Sequence, residues 1–248
     1  MKTLAIIPAR YQSTRFPGKP LAQIAGKPMI QHVYERAASC PEVAEVCVAT
    51  DDERISACVL EFGGKAVMTR KEHRSGTDRI SEAATKMGVE KEDLIVNIQG
   101  DQPLFHTSIV SHLTKPLLED RSIPMTTLKW NITDPDDIEN PNHVKVVTDR
   151  QGFALYFSRY PLPFFRDKKS SQTHYKHLGF YCFRMEFLLE FTRLPEGELE
   201  AAERLEQLRA LEHGFKIKVL ETPFNSIEVD VPEDIEKAEE VLLGLGTQ

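Results

Sequence analysis

The stretch EVCVATDDERISACVLEFGG, Glu45 to Gly64, decides the fold class. Its first eight residues are a short apolar run closed by two aspartates, the pattern of a buried strand. The remainder is amphipathic and stops at Gly63 and Gly64, the pattern of a helix with its terminator. The same alternation extends outward in both directions. Upstream, TLAIIPA (Thr3–Ala9) reads as a fully buried strand, and MIQHVYERAASC has helical spacing through Ile30, Val33, Tyr34 and Ala37. Downstream come the strand KAVMT, a helix over DRISEAATKMG, and the strand DLIVNIQGD. Strand–helix alternation of this kind predicts a parallel sheet covered on both faces.

The second half is less regular. MTTLKWNI, VKVVTD, ALYFSR and LGFYCFR read as strands separated by loops, and their spacing predicts antiparallel additions to the sheet. ELEAAERLEQLRALEHG reads as one helix closing at Gly214. The strand KIKVLET, the strand-like SIEVDVPED and an amphipathic helix to about Leu243 complete the chain. The whole is expected to be one α/β domain with an inserted or appended sheet region, its boundary near residues 125–150.

Bulk properties narrow the function classes. The 248 residues suffice for a large core, and 41% hydrophobic with 28% charged residues is ordinary globular composition. A net charge of −7 argues against nucleic acid or anionic membranes as partners, so any local basic patch serves a local anion. Cys40, Cys47, Cys58 and Cys182 show no metal or disulfide spacing and are expected to be reduced thiols in a cytoplasm. No signal peptide and no apolar run of membrane-spanning length is evident, which also points to a cytoplasmic protein.

Ligands of open α/β sheets bind beyond the carboxyl ends of the strands. There, IIPARYQSTRFPGKPL crowds Arg10, Arg15 and Lys19 into a loop stiffened by Pro17, Gly18 and Pro20. Arginine grips phosphate oxygens bidentately, lysine adds a point charge, and backbone amides near Ser13 and Thr14 could add donors. A triphosphate fits such a loop; a solvated basic turn is the plainer alternative. A P-loop is excluded because Gly18-Lys19 and Gly26-Lys27 are each followed by proline. Asp101, just past an apolar strand, could hold Mg²⁺ or cap the following helix. Asp230, at the end of SIEVDV, has the same two readings. The Ser75-Gly76-Thr77 turn could present backbone groups to a nucleobase, or simply cap a helix with Asp78 in its first turn. His177 and Tyr181 share a strand face, and Glu206 and Gln207 lie beside an apolar stripe of Leu205, Leu208 and Leu211. Taken by themselves, these residues are better explained as a core histidine and a solvated helix paired through Glu206 and Arg209.

Together, IPARYQSTRFPGKPL, VATDD, SGTDR, QGDQP, ALYFSR, KHLGFY and LEQLRALEHG resemble the 3-deoxy-manno-octulosonate cytidylyltransferases (CMP-Kdo synthetases) in order and spacing. The resemblance covers nearly the whole chain. It implies a Rossmann-like nucleotidyltransferase fold with a mixed central sheet: a single domain over 1–248, with an inserted dimerisation and sugar-binding region over about 125–215. It implies a cytoplasmic homodimer that joins CTP to an eight-carbon 2-keto-3-deoxy sugar acid, with release of pyrophosphate, for lipopolysaccharide synthesis in Gram-negative bacteria. By position, Arg10, Lys19 and Asp101 would be catalytic, and Arg10, Ser13, Arg15, Lys19, Ser75, Gly76, Thr77, Arg79 and Gln99 would bind the nucleotide. Gln102, Arg159, His177, Tyr181, Glu206 and Gln207 would surround the sugar, and Asp101 and Asp230 would hold Mg²⁺.

The chain departs from the family pattern in places. Gln102 replaces the usual Glu of Gly-Asp-Glu-Pro, Asp78 replaces Glu after Ser-Gly-Thr, and Val231 replaces Thr. Gln102 removes a negative charge and adds an amide donor, which makes the 8-amino-3,8-dideoxy analogue (Kdo8N) an alternative sugar. Rival readings are another sugar nucleotide synthetase of this fold, such as a CMP-sialate synthetase, and a non-catalytic nucleotide-binding regulator. Retention of Arg10, Lys19, Asp101 and Asp230 argues against the regulator. The loop Pro161–His174 is a candidate lid by its length and polarity.

Overall fold

The computed structural model describes residues 1–12, 15–167 and 173–244. The chain runs β1 (Thr3–Ala9), a short 3-10 turn (Lys19–Leu21), the strands β2 (Gln23–Ile24) and β3 (Lys27–Pro28), then α1 (Met29–Ala38). Next come β4 (Glu45–Thr50), α2 (Glu53–Glu61), β5 (Ala66–Met68), α3 (Gly76–Lys86), β6 (Leu94–Asn97) and α4 (Ser108–Glu119). β7 (Met125–Asn131), α5 (Pro135–Glu139), β8 (Lys145–Thr148), β9 (Ala154–Ser158) and β10 (Tyr175–Arg184) follow. α6 (Met185–Phe191), α7 (Glu198–Glu203), α8 (Leu208–Glu212), β11 (Ile217–Glu221) and α9 (Asp234–Leu242) close the described chain.

The central sheet has the order β11-β7-β10-β6-β1-β4-β5, with β8 paired to β10 and β9 paired to β8. β6, β1, β4 and β5 are mutually parallel, so the carboxyl ends of these strands share one rim. β10 lies antiparallel between β6 and β7, and β8 and β9 extend it antiparallel, as the spacing of the second half predicts. β11 rejoins β7 in parallel. The sheet is therefore mixed, and β2 with β3 forms a separate two-stranded antiparallel sheet. The fold class expected from the sequence holds.

Strand β1 shows why the sheet is covered twice. Its side chains alternate between faces, and both sets are apolar. Ala5 and Ile7 enter a core with Ile30 and Val33 of α1, Ile55 of α2 and Leu113 of α4. Leu4 and Ile6 enter the opposite core with Ile80 of α3, Leu188 of α6 and Leu208 of α8. Each of these side chains is 3% exposed or less, so the central strands contribute burial on both faces.

Two sequence expectations are corrected. The helix predicted over Glu198–Gly214 is broken: α7 ends at Glu203, the next residue, Arg204, has a left-handed φ of 54°, and α8 starts at Leu208. Glu200 and Arg209 explain the break. Arg209 Nε donates to Glu200 Oε2 at 2.8 Å and Nη2 to Oε1 at 2.5 Å, in a pair whose side chains are each only 9% exposed. In a continuous helix, residues nine apart point roughly 180° from each other, so the pair requires the chain to turn between them. Glu206 and Gln207 therefore lie in that turn and not on a helix. The second correction concerns SIEVDV. It forms no described strand; a single backbone hydrogen bond, Val229 N–H to Asp101 O at 2.9 Å, joins it to the rim, beside side-chain contacts made by Glu228 and Asp230.

Removing one partner of the buried pair leaves an uncompensated charge. Arg209→Met is expected to lower unfolding free energy by about 3–5 kcal/mol in urea titrations. The double change Glu200→Leu with Arg209→Met should recover most of the loss.

Candidate active site at the carboxyl rim

The loop after β1 is set by backbone constraints. Gly18 has φ 74°, and its N–H donates to Tyr11 O at 2.9 Å. A Cβ at Gly18 would stand 3.1 Å from the Tyr11 ring, so both conformation and space call for glycine. The 3-10 turn that follows, with Pro20 buried, turns Lys19 inward until its side chain is 15% exposed. Beyond the adjacent strand, Gly100 approaches the carboxyl end of β1, just before that loop. A Cβ there would come 3.1 Å from Pro8 O, which lets the β1 and β6 loops meet and brings Asp101 to the rim.

The result is a cleft of about 290 Å³ whose lining includes Arg10, Arg15 and Lys19 from the first loop. Ser75, Gly76 and Arg79 line it from the start of α3, Gln99 and Asp101 from beyond β6, and Asp230 from the C-terminal segment. Lys19 Nζ donates to Asp101 Oδ2 at 2.7 Å and to Asp230 Oδ1 at 3.4 Å. Arg15 reaches both oxygens of Asp230, at 3.1 and 3.2 Å. The two carboxylates thus already converge on a cation. Hard oxygen donors in that arrangement fit Mg²⁺, which takes one or two protein carboxylates and completes its shell with water and phosphate. Among the described residues, no group of three or more His, Cys, Asp or Glu side chains forms a metal cage.

The capping alternatives resolve by position. Asp101 is no helix cap, because the next helix, α4, begins only at Ser108. Asp230 is none either: Asp234 Oδ2 accepts from the N–H groups of Asp230 and Val231 at 3.0 and 3.1 Å, and α9 starts at Asp234. Ser75 is a cap, its hydroxyl accepting from the Asp78 N–H at 3.1 Å. Arg79 lines the cleft but is only 4% exposed; it donates to Thr69 Oγ1 at 2.6 Å and faces Asp51 at 3.4 Å.

The residues assigned to the sugar by resemblance do not line this cleft. Thr77 links the two groups by donating to Glu206 Oε2 at 2.5 Å. Glu206 is held by burial above the usual carboxylate range, against the opposing hydrogen bonds of Ser75 and Thr77. Its Oε1 is sealed from solvent without a hydrogen-bond partner, as are Gln207 Nε2, Gln102 Oε1 and Asn97 Oδ1. Tyr181 of β10 pairs in register with Asn97 of β6, and its ring lies 5.5 Å from that of His177. His177 Nε2 meets Thr127 Oγ1 at 2.9 Å, and burial, aided by Lys176, pushes its pKa down to about 3. Arg159 is turned elsewhere, donating to Glu203 O at 2.8 Å and Pro141 O at 3.0 Å. Gln102 donates to Glu228 Oε1 at 3.1 Å. Ser13, and residues 168–172 of the candidate lid, lie outside the described residues.

Sequence reasoning missed His73 and Arg74, which line the cleft, and Glu228 and Asn97, which lie beside it. Glu228 stands two residues before Asp230 in an extended segment, a spacing that puts both on one side. Burial, with Asp101 and Asp230 nearby, raises its pKa despite the opposing charge of Lys176. Asn97 is the polar residue in the buried strand LIVN, a signal in itself.

A mixed sheet with a basic loop facing two carboxylates at one rim suits a nucleotidyltransferase, and similarity to known proteins shows that class. The family described as Cytidylyltransferase matches residues 4–218. A "3-deoxy-manno-octulosonate cytidylyltransferase" of Syntrophus aciditrophicus is 52% identical, with 98% of each chain covered. One from Geotalea uraniireducens is 54% identical over 98% of this chain and 99% of its own. A solved CMP:2-keto-3-deoxy-manno-octonic acid synthetase, complexed with CTP, superposes with TM-score 0.92 at 43% identity, covering 98% and 99%. The chain belongs to the 3-deoxy-manno-octulosonate cytidylyltransferase family, and it is an enzyme.

Gly100→Ala is expected to cut kcat/KM for CTP tenfold or more with little change in melting temperature, since the displaced atom is Pro8 O at the cleft. His177 gives a pH signature. Its folded pKa near 3 lies below the unfolded 6.5, so the unfolded chain binds the extra proton between them. Stability should therefore fall as pH drops below about 6.5. Urea midpoints measured between pH 7.5 and 5 should show a shallower fall for His177→Gln than for the wild type.

Proposed function

We propose that this enzyme transfers the cytidylyl group of CTP to a 3-deoxy-manno-octulosonate sugar acid, giving the CMP-sugar and pyrophosphate. One observation carries the reading: Arg10, Arg15 and Lys19 face Asp101 and Asp230 across a single cleft. The names of the relatives, and the complex of the solved neighbour with CTP, support it.

The sugar's anomeric oxygen attacks the α-phosphorus as the bond to the β-phosphate oxygen breaks. The hydroxyl proton leaves to water or a nearby base, and pyrophosphate departs with the bonding electrons. Such a centre needs charge neutralisation and in-line positioning more than covalent help. Arg10 and Lys19 take the triphosphate, with Arg15 beside them. Lys19 must then leave its carboxylate partners for phosphate oxygens, which frees Asp101 and Asp230 to hold Mg²⁺. That ion, when bound, neutralises charge on the phosphates and lowers the pKa of the attacking hydroxyl. Ser75, Gly76, Thr77, Arg79 and Gln99 form the cytidine end.

The sugar acid is placed among Gln102, Arg159, His177, Tyr181, Glu206 and Gln207. The sealed, unpartnered atoms of Gln102, Glu206 and Gln207 support this, because such groups await a hydrogen-bonding ligand. Arg159 would have to release its carbonyl partners. Gln102 leaves the choice between Kdo and Kdo8N to experiment. The region 125–215 would carry the sugar site and a homodimer contact, a reading supported by exposed Leu155, Tyr160 and Phe164. The four cysteines carry no disulfide, which suits a cytoplasmic setting serving lipopolysaccharide synthesis. Among the described residues no helix is long and apolar enough to cross a membrane.

Pyrophosphate release with CTP and Mg²⁺ should require the sugar acid, and comparing Kdo with Kdo8N assigns the sugar. Release with neither sugar would overturn the reading. Asp101→Ala should leave less than about a tenth of the activity, since losing a metal ligand costs several kcal/mol of barrier.

A further inference from the structure

The segment leading into the Ser75 turn, residues 70–73, is fastened to the side of α3 by Arg79 and by Glu82, a charged group that the reaction does not use. Glu82, two turns into α3, is the hub. Its Oε2 accepts from the backbone N–H of Arg70 at 3.1 Å, from Arg70 Nε at 3.4 Å and from the ring of His73. Its Oε1 pairs with Lys86 at 2.8 Å. A surface Glu–Lys pair four apart on a helix is worth little. This carboxylate differs in being only 13% exposed and in gathering partners from outside its helix. Burial opposes its ionisation, yet hydrogen bonds from Lys86, Arg70 and His73 bring its pKa to about 2.

One turn earlier on α3, Arg79 grips the start of the same segment through Thr69 Oγ1 at 2.6 Å and Arg70 O at 3.4 Å. Residues three apart share a helix face, so a cation and an anion of α3 hold the two ends of one short run. The next residues, Arg74 and Ser75, line the nucleotide cleft, as does His73 itself.

We propose that Glu82 is a positioning residue for nucleotide binding: with Arg79 it holds residues 70–73 against α3, so that Arg74 and Ser75 stand at the cleft. Glu82 touches no substrate; it acts through the loop. The inference rests on the proposed use of that cleft by CTP.

Glu82→Gln is the test, because the amide keeps the size and an acceptor for the Arg70 N–H while losing the charge. The variant should raise KM for CTP about tenfold, the equivalent of 1.4 kcal/mol of binding, with kcat changed less than twofold. The Kd for CTP, measured by calorimetry without sugar, should rise in parallel, and Glu82→Ala should weaken it further. A merely structural role would lower melting temperature or the active fraction, and so kcat, with KM and Kd unchanged. That result would overturn the proposal. Failure of the reaction itself is distinguishable, since the wild type would then release no pyrophosphate.

Discussion

The ammonium of Lys19, 2.7 Å from Asp101 and 3.4 Å from Asp230, is the interaction on which the site depends. It ties together three segments far apart in the chain: the loop after the first strand, the turn after β6 and the extended run before the last helix. Each side chain is partly shielded from water, so the attraction is stronger than that of a surface pair. Without ligand, the arrangement balances the cluster's charges internally. In the proposed reaction an anionic nucleotide would compete for Lys19 and Arg15, and a divalent cation for the carboxylates, so each ligand would remove the obstacle to the other.

The protein carries a net charge of −7, yet it gathers cations at one edge. Parallel strands make this possible. The carboxyl ends of β1, β4 and β6 share one rim, while helices on both faces supply a dry, packed support. The close approach of Gly100 to Pro8 O brings the first and third of these strand ends within reach of one ligand. The antiparallel β10 then adds Tyr181 beside Asn97, and the break between α7 and α8 delivers Glu206 to Thr77. The rim thus continues into a second group of residues carrying unpaired polar atoms, beside the nucleotide cleft rather than within it.

Much of this is legible in the sequence. Apolar runs alternating with amphipathic stretches mark the parallel half, because buried strands and surface helices have different periods. The basic loop stands out because prolines and glycine hold its charges in a stiff path. The helix break is not legible: Glu198–Gly214 has good helical propensity throughout, and a bidentate pair between Glu200 and Arg209 overrides it. Glu228 is hidden by ordinary composition, although its two-residue offset from Asp230 is a usable signal. SIEVDV misleads because its alternation suits a strand, while one backbone hydrogen bond is all that pairs its main chain with the rim.

By itself, the sequence determined the fold class, the strand-end location of the basic loop, and, through the spacing of its motifs, the family. These are local matters, set by side-chain periodicity and by the turn chemistry of Gly and Pro. Only the tertiary structure decided that Lys19 meets Asp101 and Asp230, that His177 is buried beside Thr127, and that Arg159 turns to the carbonyls of Glu203 and Pro141. Such contacts join residues tens to hundreds of positions apart. No local preference encodes them; they arise when strand register, helix breaks and loop geometry are satisfied together.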